Sequence, residues 1–433
     1  MFKAGFARLD ITPPFGVPIS GYFYRRTTKG VLDPLELNAL AVSDGENTAL
    51  IIACDIIGIK LDKAEILRNK IEEDTGVKSN NILICCLHQH TSFAIQNPSF
   101  LNSMDINTPF FKVLKQKFAD VSKMAIEDMR EAKMRVASCE TAEQISFVRR
   151  YYTKSGPVAT NPGWYNPDVI EPAGKPDNTV RLVRFEREGN DIALVNFSTH
   201  PDVIGGEKVS ADWPGFVRRF VEKDLDGVSC ILVNGAQGDV NHFNFMGEKQ
   251  KRSGYEHSEY MGRIIADTVL NLWNNTVEHK ADKIFSDVDF IYSRTRTEGE
   301  ERYDEMKAFY TAYEEDKLGY KPHITELALA RRIINLRTET IYRQVPVSMV
   351  VMGDVALVGF GGEPFTDYAT HARDAAPDKF VMAACCTNGY EGYLPTKRAF
   401  EEGGYESSGS LFTPAIEQEV ADKVNELFKK VQA

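Results

Sequence analysis

The feature that most constrains this chain is a short apolar run that ends abruptly at two histidines. Residues 82–90 read ILICCLHQH, and the apolar part has the length of a buried strand. If the backbone is still extended there, His88 and His90 point the same way off the sheet. Such a pair at a strand end is a common way to hold one side of a zinc ion. Histidines without metal are also frequent in proteins. These two residues alone therefore do not distinguish a metal site from a pair of histidines with only a structural role.

The same arrangement recurs three times along the chain. Residues 191–197 form an apolar run that leads to His200, and residues 355–360 form one that leads through two glycines to Glu363. A further run, residues 228–233, precedes a glycine-rich loop that contains Asp239. Ligands of sheets flanked by helices collect outside the carboxyl ends of strands. The sequence therefore predicts a metal site at strand C-terminal ends.

Paired apolar runs around short turns indicate the fold class. Asp44-Gly45, Glu188-Gly189-Asn190 and Gly353-Asp354 each separate two strand-like runs, which predicts three hairpins. The hairpin arms are residues 37–42 with 48–53, 180–186 with 191–197, and 346–352 with 355–360. Helical spacing covers residues 61–75, 108–132, 215–223, 255–273, 298–320, 324–336, 366–375 and 413–430. We expect a mixed α/β (α+β) fold, a mixed sheet core with antiparallel hairpins flanked by helices, in a single domain over residues 1–433.

Two segments are predicted to be irregular. Residues 149–152 (RRYY) open a stretch of about 25 residues rich in proline, glycine and asparagine, and a loop that long is usually functional. A surface excursion with solvated arginines is an equally good interpretation. Residues 16–24 (GVPISGYFY) fit a pocket lining or a packed connection.

Composition and charge disfavour several classes of partner, although they leave room for a local basic pocket. The 433 residues carry 51 basic and 62 acidic side chains, a net charge of −11, which disfavours nucleic acid and anionic membranes. No apolar stretch reaches 18 residues and no signal-peptide core is visible at the start, so membrane insertion and secretion are not expected. The seven cysteines lie mostly in apolar runs and lack C-x-x-C spacing, which favours buried thiols in the cytoplasm over a thiolate metal site. We expect a small-molecule substrate, and the oligomeric state stays open.

An ordered set of short motifs resembles the catalytic domain of the neutral ceramidase family. Over roughly residues 1–410 the motifs are DITPP, GY, CDIIGI, LHQHTS, FSTHP, SADWPG, NGAQGDVN, GGEPF and NGYEGYLPT. The resemblance implies a zinc hydrolase that cleaves an amide with a metal-bound water as nucleophile.

The resemblance also implies roles for individual residues. It gives His88, His200, Glu363 and Tyr393 as metal ligands. It implies catalytic or substrate contacts for His90, Arg149 and Tyr405, with Tyr405 stabilising the oxyanion. Substrate-binding residues are expected among the polar side chains of the same loops, namely Asp202, Asp212, Asp239, His242 and Tyr390.

Departures from the family pattern bear on the substrate. The family's G-D-V-S-P-N loop carries a serine needed for ceramide cleavage, and this chain has Asn241 there, which cannot act as a nucleophile. The family's C-terminal sandwich domain and secretion signal are also not expected in this chain. We therefore expect a zinc-dependent hydrolase of an amide-like bond in a small polar substrate, with Asn241 in a catalytic-site role, rather than a ceramide hydrolase.

Two other functions remain open on the sequence alone. The acidic residues near the loops permit cleavage of a lactone or a glycosidic bond on the same scaffold. The loss of the serine at position 241 is compatible with a non-catalytic binding protein.

Overall fold

The fold is built around two stacked sheets with helices outside them. The computed structural model describes residues 1–96, 108–336 and 341–432. Its strands are β1 Lys3–Asp10, β2 Gly30–Val31, β3 Glu36–Ser43, β4 Thr48–Cys54, β5 Gly58–Ile59, β6 Ile82–Cys86, β7 Ala94–Ile95, β8 Arg130–Glu140, β9 Phe147–Val148, β10 Arg150–Thr153, β11 Gly156–Thr160, β12 Val169–Pro172, β13 Thr179–Arg187, β14 Asp191–Phe197, β15 Lys208–Val209, β16 Val228–Asn234, β17 Val240–Asn241, β18 Val277–His279, β19 Ile284–Arg294, β20 Tyr342–Met352, β21 Val355–Phe360, β22 Glu363–Pro364, β23 Phe380–Ala384 and β24 Tyr393–Leu394. Its helices are α1 Leu61–Thr75, α2 Pro109–Glu127, α3 Asp212–Asp224, α4 Tyr255–Trp273, α5 Tyr303–Glu314, α6 Ile324–Leu336, α7 Thr366–Asp374, α8 Lys397–Glu402, α9 Tyr405–Gly409 and α10 Ile416–Gln432. The predicted mixed α/β class is confirmed.

The larger sheet has the strand order β16-β14-β13-β8-β1-β3-β4-β6, with β18 beside β8. Its interior pairs are antiparallel, whereas β14 with β16 and β4 with β6 run parallel. The smaller sheet, β19-β20-β21-β23, ends in the parallel pair β21 and β23. All three predicted hairpins are confirmed as antiparallel pairs.

Alternating burial explains why two layers cover the larger sheet. In β3, Leu40 and Val42 join one core together with residues of the smaller sheet, such as Val350 and Leu357. The alternate residues of β3 join a second core formed with α1 and α2. Because successive side chains of a strand point to opposite faces and both faces of β3 and β4 are covered, both strands are almost wholly buried. Helices α7 and α10 pack on the outer face of the smaller sheet.

Three predicted elements differ from the structure. The helix expected over residues 108–132 ends at Glu127, because residues 130–140 form β8, which pairs with β1 at residues 130–131 and with β13 at residues 132–140. The irregular stretch expected to open at residues 149–152 contains the three-stranded sheet β11-β10-β12. The charged helix expected over residues 298–320 is α5, which stops at Glu314. In the first case, strand pairing with residues distant in sequence outweighs the local helical spacing.

None of the helices in the described ranges is long and apolar enough to cross a membrane.

Candidate metal centre

Three histidines from two strand ends form a buried cluster. His88 and His90 follow β6, and His200 follows β14. One ring nitrogen from each lies within 4.8 Å of the others, and all three side chains are buried. The ring centroids are 5.0 to 5.2 Å apart. The strand ends that the sequence identified therefore bring these imidazoles together.

The backbone of this segment is not extended as the sequence suggested. Strand β6 ends at Cys86, and His88 has a left-handed φ of 73°. Both histidine rings nevertheless face the same centre, while Gln89 between them donates from Nε2 to Asp55 Oδ1 at 2.7 Å. Residues 88–90 therefore contribute to two polar clusters: His88 and His90 to the histidine centre, and Gln89 to the cluster around Asp55.

Backbone carbonyls fix the orientation of two of the imidazoles. His88 Nδ1 lies 2.6 Å from the carbonyl oxygen of Ile57, and His200 Nδ1 lies 3.1 Å from that of Gln237. A carbonyl only accepts hydrogen bonds, so each Nδ1 carries the proton and each Nε2 carries a lone pair. This arrangement leaves two Nε2 atoms ready to act as metal ligands.

Glu363 completes the centre from the end of β21. Its Oε2 lies 3.3 Å from His88 Nε2 and 3.5 Å from His200 Nε2, while Oε1 accepts a 2.8 Å hydrogen bond from the Tyr390 hydroxyl. Burial raises the pKa of Glu363, but the positive charges that His88 and His200 carry when protonated, together with the charge of Arg149, outweigh burial and hold the carboxyl pKa well below its usual range.

The donor set fits a cation. A carboxylate that faces two nitrogen lone pairs in a buried pocket is repulsive unless a positive charge lies between them. Glu363 Oε2 and His200 Nε2 have no hydrogen-bond partner among the described residues. Ligand atoms bound tetrahedrally to one zinc ion are about 3.4 Å apart, which matches the observed spacing of the Nε2 and Oε2 atoms.

His90 is held by packing rather than by hydrogen bonds. Neither of its ring nitrogens has a hydrogen-bond partner in the described parts of the chain. The ring of Tyr22 contacts it edge-on at 5.2 Å between centroids, and Gly21 lies against the imidazole so closely that a Cβ there would be 2.7 Å from the His90 ring. Burial, followed by the charges of His200 and His88, lowers the pKa of His90 well below its usual range. His90 is therefore neutral and available to a ligand.

Arg149 links the centre to two phenols. Its Nε donates to Glu406 Oε1 at 2.8 Å, its guanidinium donates to the carbonyl of Gly238 at 2.7 Å, and it lies over the rings of Tyr393 and Tyr405. Burial raises the pKa of Tyr393 well above its usual range and that of Tyr405 to about 12, while Arg149 opposes both shifts. Both phenols are therefore protonated near neutral pH and can donate hydrogen bonds. Tyr393 also lies directly beside Glu363, because β24 pairs with β22.

Other predicted residues line the neighbouring loops. Asp202 Oδ1 lies 3.1 Å from His242 Nδ1. Asn241 is buried, with its amide donating to Asn161 Oδ1 at 2.9 Å and its Oδ1 accepting from the Phe243 amide at 3.0 Å. Asn241 is thus tied into its own loop.

Two predicted substrate-binding carboxylates are occupied by internal hydrogen bonds. Asp212 accepts from the amides of Val203, Ile204 and Trp213 and from the Ser258 hydroxyl. Asp239 accepts from the amide and hydroxyl of Thr366. Both carboxylates brace the loops that carry the site, and neither is brought to the histidine cluster by these contacts.

A cavity of 790 Å³ adjoins the centre. Glu363, Tyr390, Tyr393 and Tyr405 form part of its wall. The remainder is mostly polar or aromatic, and includes Lys60, Asp62, Glu65, Tyr292, Arg331, Arg332, Tyr342, Arg343 and Glu391.

Sequence reasoning missed three residues at the centre. Gly21 and Tyr22 pack on His90, and Glu406 holds Arg149. The only signal for the first two was the glycine- and aromatic-rich stretch at residues 16–24. Glu406 had no signal, because it is 257 residues from Arg149 along the chain.

Comparison with solved structures identifies the fold. The chain is similar to the neutral ceramidase from Pseudomonas aeruginosa, with a TM-score of 0.71 and 15% identity over 99% of this chain and 75% of that one. It is also similar to a structure described as ceramidase complexed with C2, with a TM-score of 0.72 and 13% identity over 100% and 75% of the two chains.

The chain has a neutral ceramidase-like fold. At these identities the likeness concerns the fold, and the function has to be argued from the site. No family model matches the sequence, and no curated protein matches it either.

Proposed function

We propose that this chain is a zinc-dependent hydrolase that cleaves an amide-like bond in a small polar substrate, acting as one catalytic domain. The observation that carries the proposal is the carboxylate of Glu363 facing the Nε2 lone pairs of His88 and His200 in a buried site. The likeness to ceramidase structures supports the same reaction class.

His88, His200 and Glu363 are the proposed first three ligands. Tyr393, as the sequence resemblance implies, is the proposed fourth, and His90 is its competitor because its nitrogen lies within 4.8 Å of the other two imidazoles. Imidazole and carboxylate donors suit zinc. When bound, the metal supplies a Lewis acid that polarises a carbonyl and lowers the pKa of a water molecule.

The residues around the centre have separable roles in this proposal. Tyr405 donates a hydrogen bond to the oxygen of the scissile carbonyl as negative charge develops there. Arg149 holds Tyr393 and Tyr405 through its position over both rings, and its positive charge favours the same developing anion. Tyr390 orients Glu363 through its 2.8 Å hydrogen bond.

The cavity wall supports a polar substrate. A long acyl chain gains binding energy by burying apolar surface. The cavity beside Glu363 instead presents charged side chains such as Lys60 and Arg343, each of which forms an ion pair with Glu391. Short-chain amides of polar amines therefore fit this wall better than ceramide does.

Metal content tests the proposal first. Plasma mass spectrometry on untagged protein should give about one zinc per chain for wild type. Zinc should be lost in His88→Ala and His200→Ala and retained in the control His279→Ala, which changes a histidine in β18. His90→Ala and Tyr393→Phe then decide the fourth ligand.

Activity is tested on the same samples. Zinc-loaded wild type should hydrolyse members of a panel of short-chain N-acyl amines and N-acyl amino sugars, and chelation should abolish turnover. Turnover of lactones or aryl glycosides alone would change the reaction class. Absence of metal from well-folded wild type, even after zinc is supplied, would overturn the hydrolase proposal and favour a binding protein.

A further inference from the structure

A second pair of polar side chains lies beside the histidine cluster. Asp202, two residues after His200, has its Oδ1 3.1 Å from Nδ1 of His242. Asp202 interacts electrostatically with His90 and His200 as well as with His242. Because Asp202 follows the proposed ligand His200 by two residues, the pair begins on the loop that carries that ligand, although neither residue is itself a proposed ligand.

The Nε2 atom of His242, on the side of the ring away from Asp202, is available to a ligand. The side chain is fully buried, and neither of its ring nitrogens makes a hydrogen bond within the described residues. Nδ1 has the 3.1 Å ion-pair contact with Asp202 Oδ1, whereas Nε2 has no polar contact of this kind in that part of the chain. The other groups that face this ring are Asp212, His257 and the ring of Phe243, whose centroid lies 4.0 Å away. Asp212 is already saturated by four internal donors. A buried polar atom without a partner is costly to keep unless a ligand uses it.

The backbone near His242 contacts the segment that carries Arg149. Strand β17 (Val240–Asn241) pairs with β9, which directly precedes Arg149. The Gly238 carbonyl accepts a hydrogen bond from the Arg149 guanidinium. The loop that carries His242 is thus fixed against the residue that holds Tyr393 and Tyr405.

We propose that His242, oriented by Asp202, transfers a proton from the attacking water to the leaving nitrogen of the substrate. This inference rests on the proposed hydrolase function. A carboxylate beside Nδ1 holds the imidazole with its Nδ1 proton toward the carboxylate, which leaves Nε2 to accept and then donate a proton.

The proton and bond balance is simple. The water oxygen bonds to the carbonyl carbon while one water proton moves to His242 Nε2. The carbon–nitrogen bond then breaks, its electron pair goes to nitrogen, and nitrogen takes that proton from Nε2. The products are a carboxylic acid and an amine, and His242 returns to its starting state. Asp202 acts throughout as a positioning residue that stabilises the charged imidazole.

The test compares two substrates that differ in how much the leaving group needs a proton. An N-acyl amine leaves poorly without protonation, whereas the p-nitrophenyl ester of the same acid leaves readily as an anion. We expect His242→Asn to lower kcat on the amide by about 100-fold or more and on the ester by less than about tenfold. Asp202→Asn should lower kcat on the amide by about tenfold with KM kept, because the imidazole remains present.

His257→Asn is the matched control. Its ring centroid is 6.1 Å from that of His242, and it lies on α4 outside the proposed machinery. It should keep amide and ester turnover within about twofold of wild type. Zinc content and far-ultraviolet circular dichroism should match wild type in all three variants. Equal losses on amide and ester in His242→Asn would overturn the proton-transfer role.

A second measurement needs no turnover. Acetohydroxamic acid is a metal-binding probe whose hydroxyl proton needs an acceptor when it binds. Its Kd, measured by calorimetry on zinc-loaded protein, should weaken about tenfold in His242→Asn and stay unchanged in His257→Asn. An unchanged Kd in His242→Asn overturns the inference. Zinc-loaded wild type that binds the probe but cleaves no member of the panel would instead count against the proposed function.

Discussion

Two buried polar clusters share one tripeptide and differ in how completely their atoms are paired. Around Arg218, both Asp55 oxygens accept from the guanidinium at 3.1 and 2.6 Å, and Glu36 Oε2 accepts from its Nε at 3.1 Å. Gln89 donates to the same Asp55. On the other side of the backbone, His88 and His90 face a centre in which several nitrogen and oxygen atoms have no hydrogen-bond partner within residues 1–96, 108–336 and 341–432.

The difference separates structure from function. A buried ion pair whose atoms are satisfied holds elements together, here β3, β4 and α3. A buried carboxylate that faces imidazole lone pairs needs a positive charge between them, and the described residues place none there. Counting buried charges would treat the two clusters alike, whereas counting their unpaired atoms distinguishes them.

We call the fully paired cluster of Arg218, Asp55 and Glu36 the closed cluster. Removing its arginine should have the largest effect on stability. Arg218→Ala leaves Asp55 buried without its cation, so we expect the free energy of unfolding to fall by about 3–5 kcal/mol in urea denaturation. The neighbouring Arg219→Ala removes an ion pair to Asp33 from a side chain that is 37% exposed, and should cost about 1 kcal/mol or less. Similar losses in both variants would mean that the closed cluster is not a special source of stability.

We call the incompletely paired cluster of His88, His90, His200 and Glu363 the open cluster. Zinc binding to it should stabilise the protein by a comparable amount. Zinc at about 1,000 times its Kd should raise the free energy of unfolding of wild type by about 4 kcal/mol, because only the folded chain presents the assembled ligands. His200→Ala should show little of this increase. An equal increase in that variant would place the stabilising ion elsewhere.

Low pH should decrease the free energy of unfolding of the metal-free protein, because His200 in the open cluster is harder to protonate when the chain is folded. Burial, with Arg149 as the next contributor, lowers the pKa of His200 to about 4, whereas an unfolded histidine titrates near 6.5. Between these values the unfolded chain binds more protons, so the free energy of unfolding falls as pH decreases from about 6.5 to about 4 and this contribution then levels off. The contribution of His200 is on the order of 3 kcal/mol. His200→Asn should make the measured pH dependence shallower in that window, and an unchanged slope would contradict the assignment.

A pair of glycine variants should give the smallest effect and the sharpest local test. Gly21 and Gly16 both have left-handed φ angles, 106° and 86°, so alanine strains the backbone at either position. At Gly21 the added Cβ would also lie 2.7 Å from the His90 ring, whereas nothing lies within 4 Å at Gly16. Gly21→Ala should therefore cost about 1 kcal/mol more than Gly16→Ala in thermal or urea unfolding. Equal costs would show that the loop yields and that His90 is not held by it.

Much of the element order was predictable from local pattern. Apolar runs of strand length bounded by turn residues predicted the three hairpins, and polar residues at the run ends pointed to His88, His200 and Glu363. Helix α2 was predicted with its end too late, because the pairing of β8 with β13 depends on residues about 50 positions away and leaves no local signal. The packing of Gly21 and Tyr22 on His90 was not predictable for the same reason.

The sequence by itself determined the mixed α/β class and the set of donor side chains, because strand length, turn residues and strand-end positions are local properties. Only the tertiary structure decided at which strand ends the polar side chains find hydrogen-bond or ion-pair partners and at which they do not. Asp55 and Glu363 both follow apolar runs in the sequence. Asp55 meets Arg218, 163 residues away, while Glu363 meets two imidazoles whose protons are committed to backbone carbonyls. A carboxylate's role follows from the charge of its partners, and those partners are brought to it only by the folded chain.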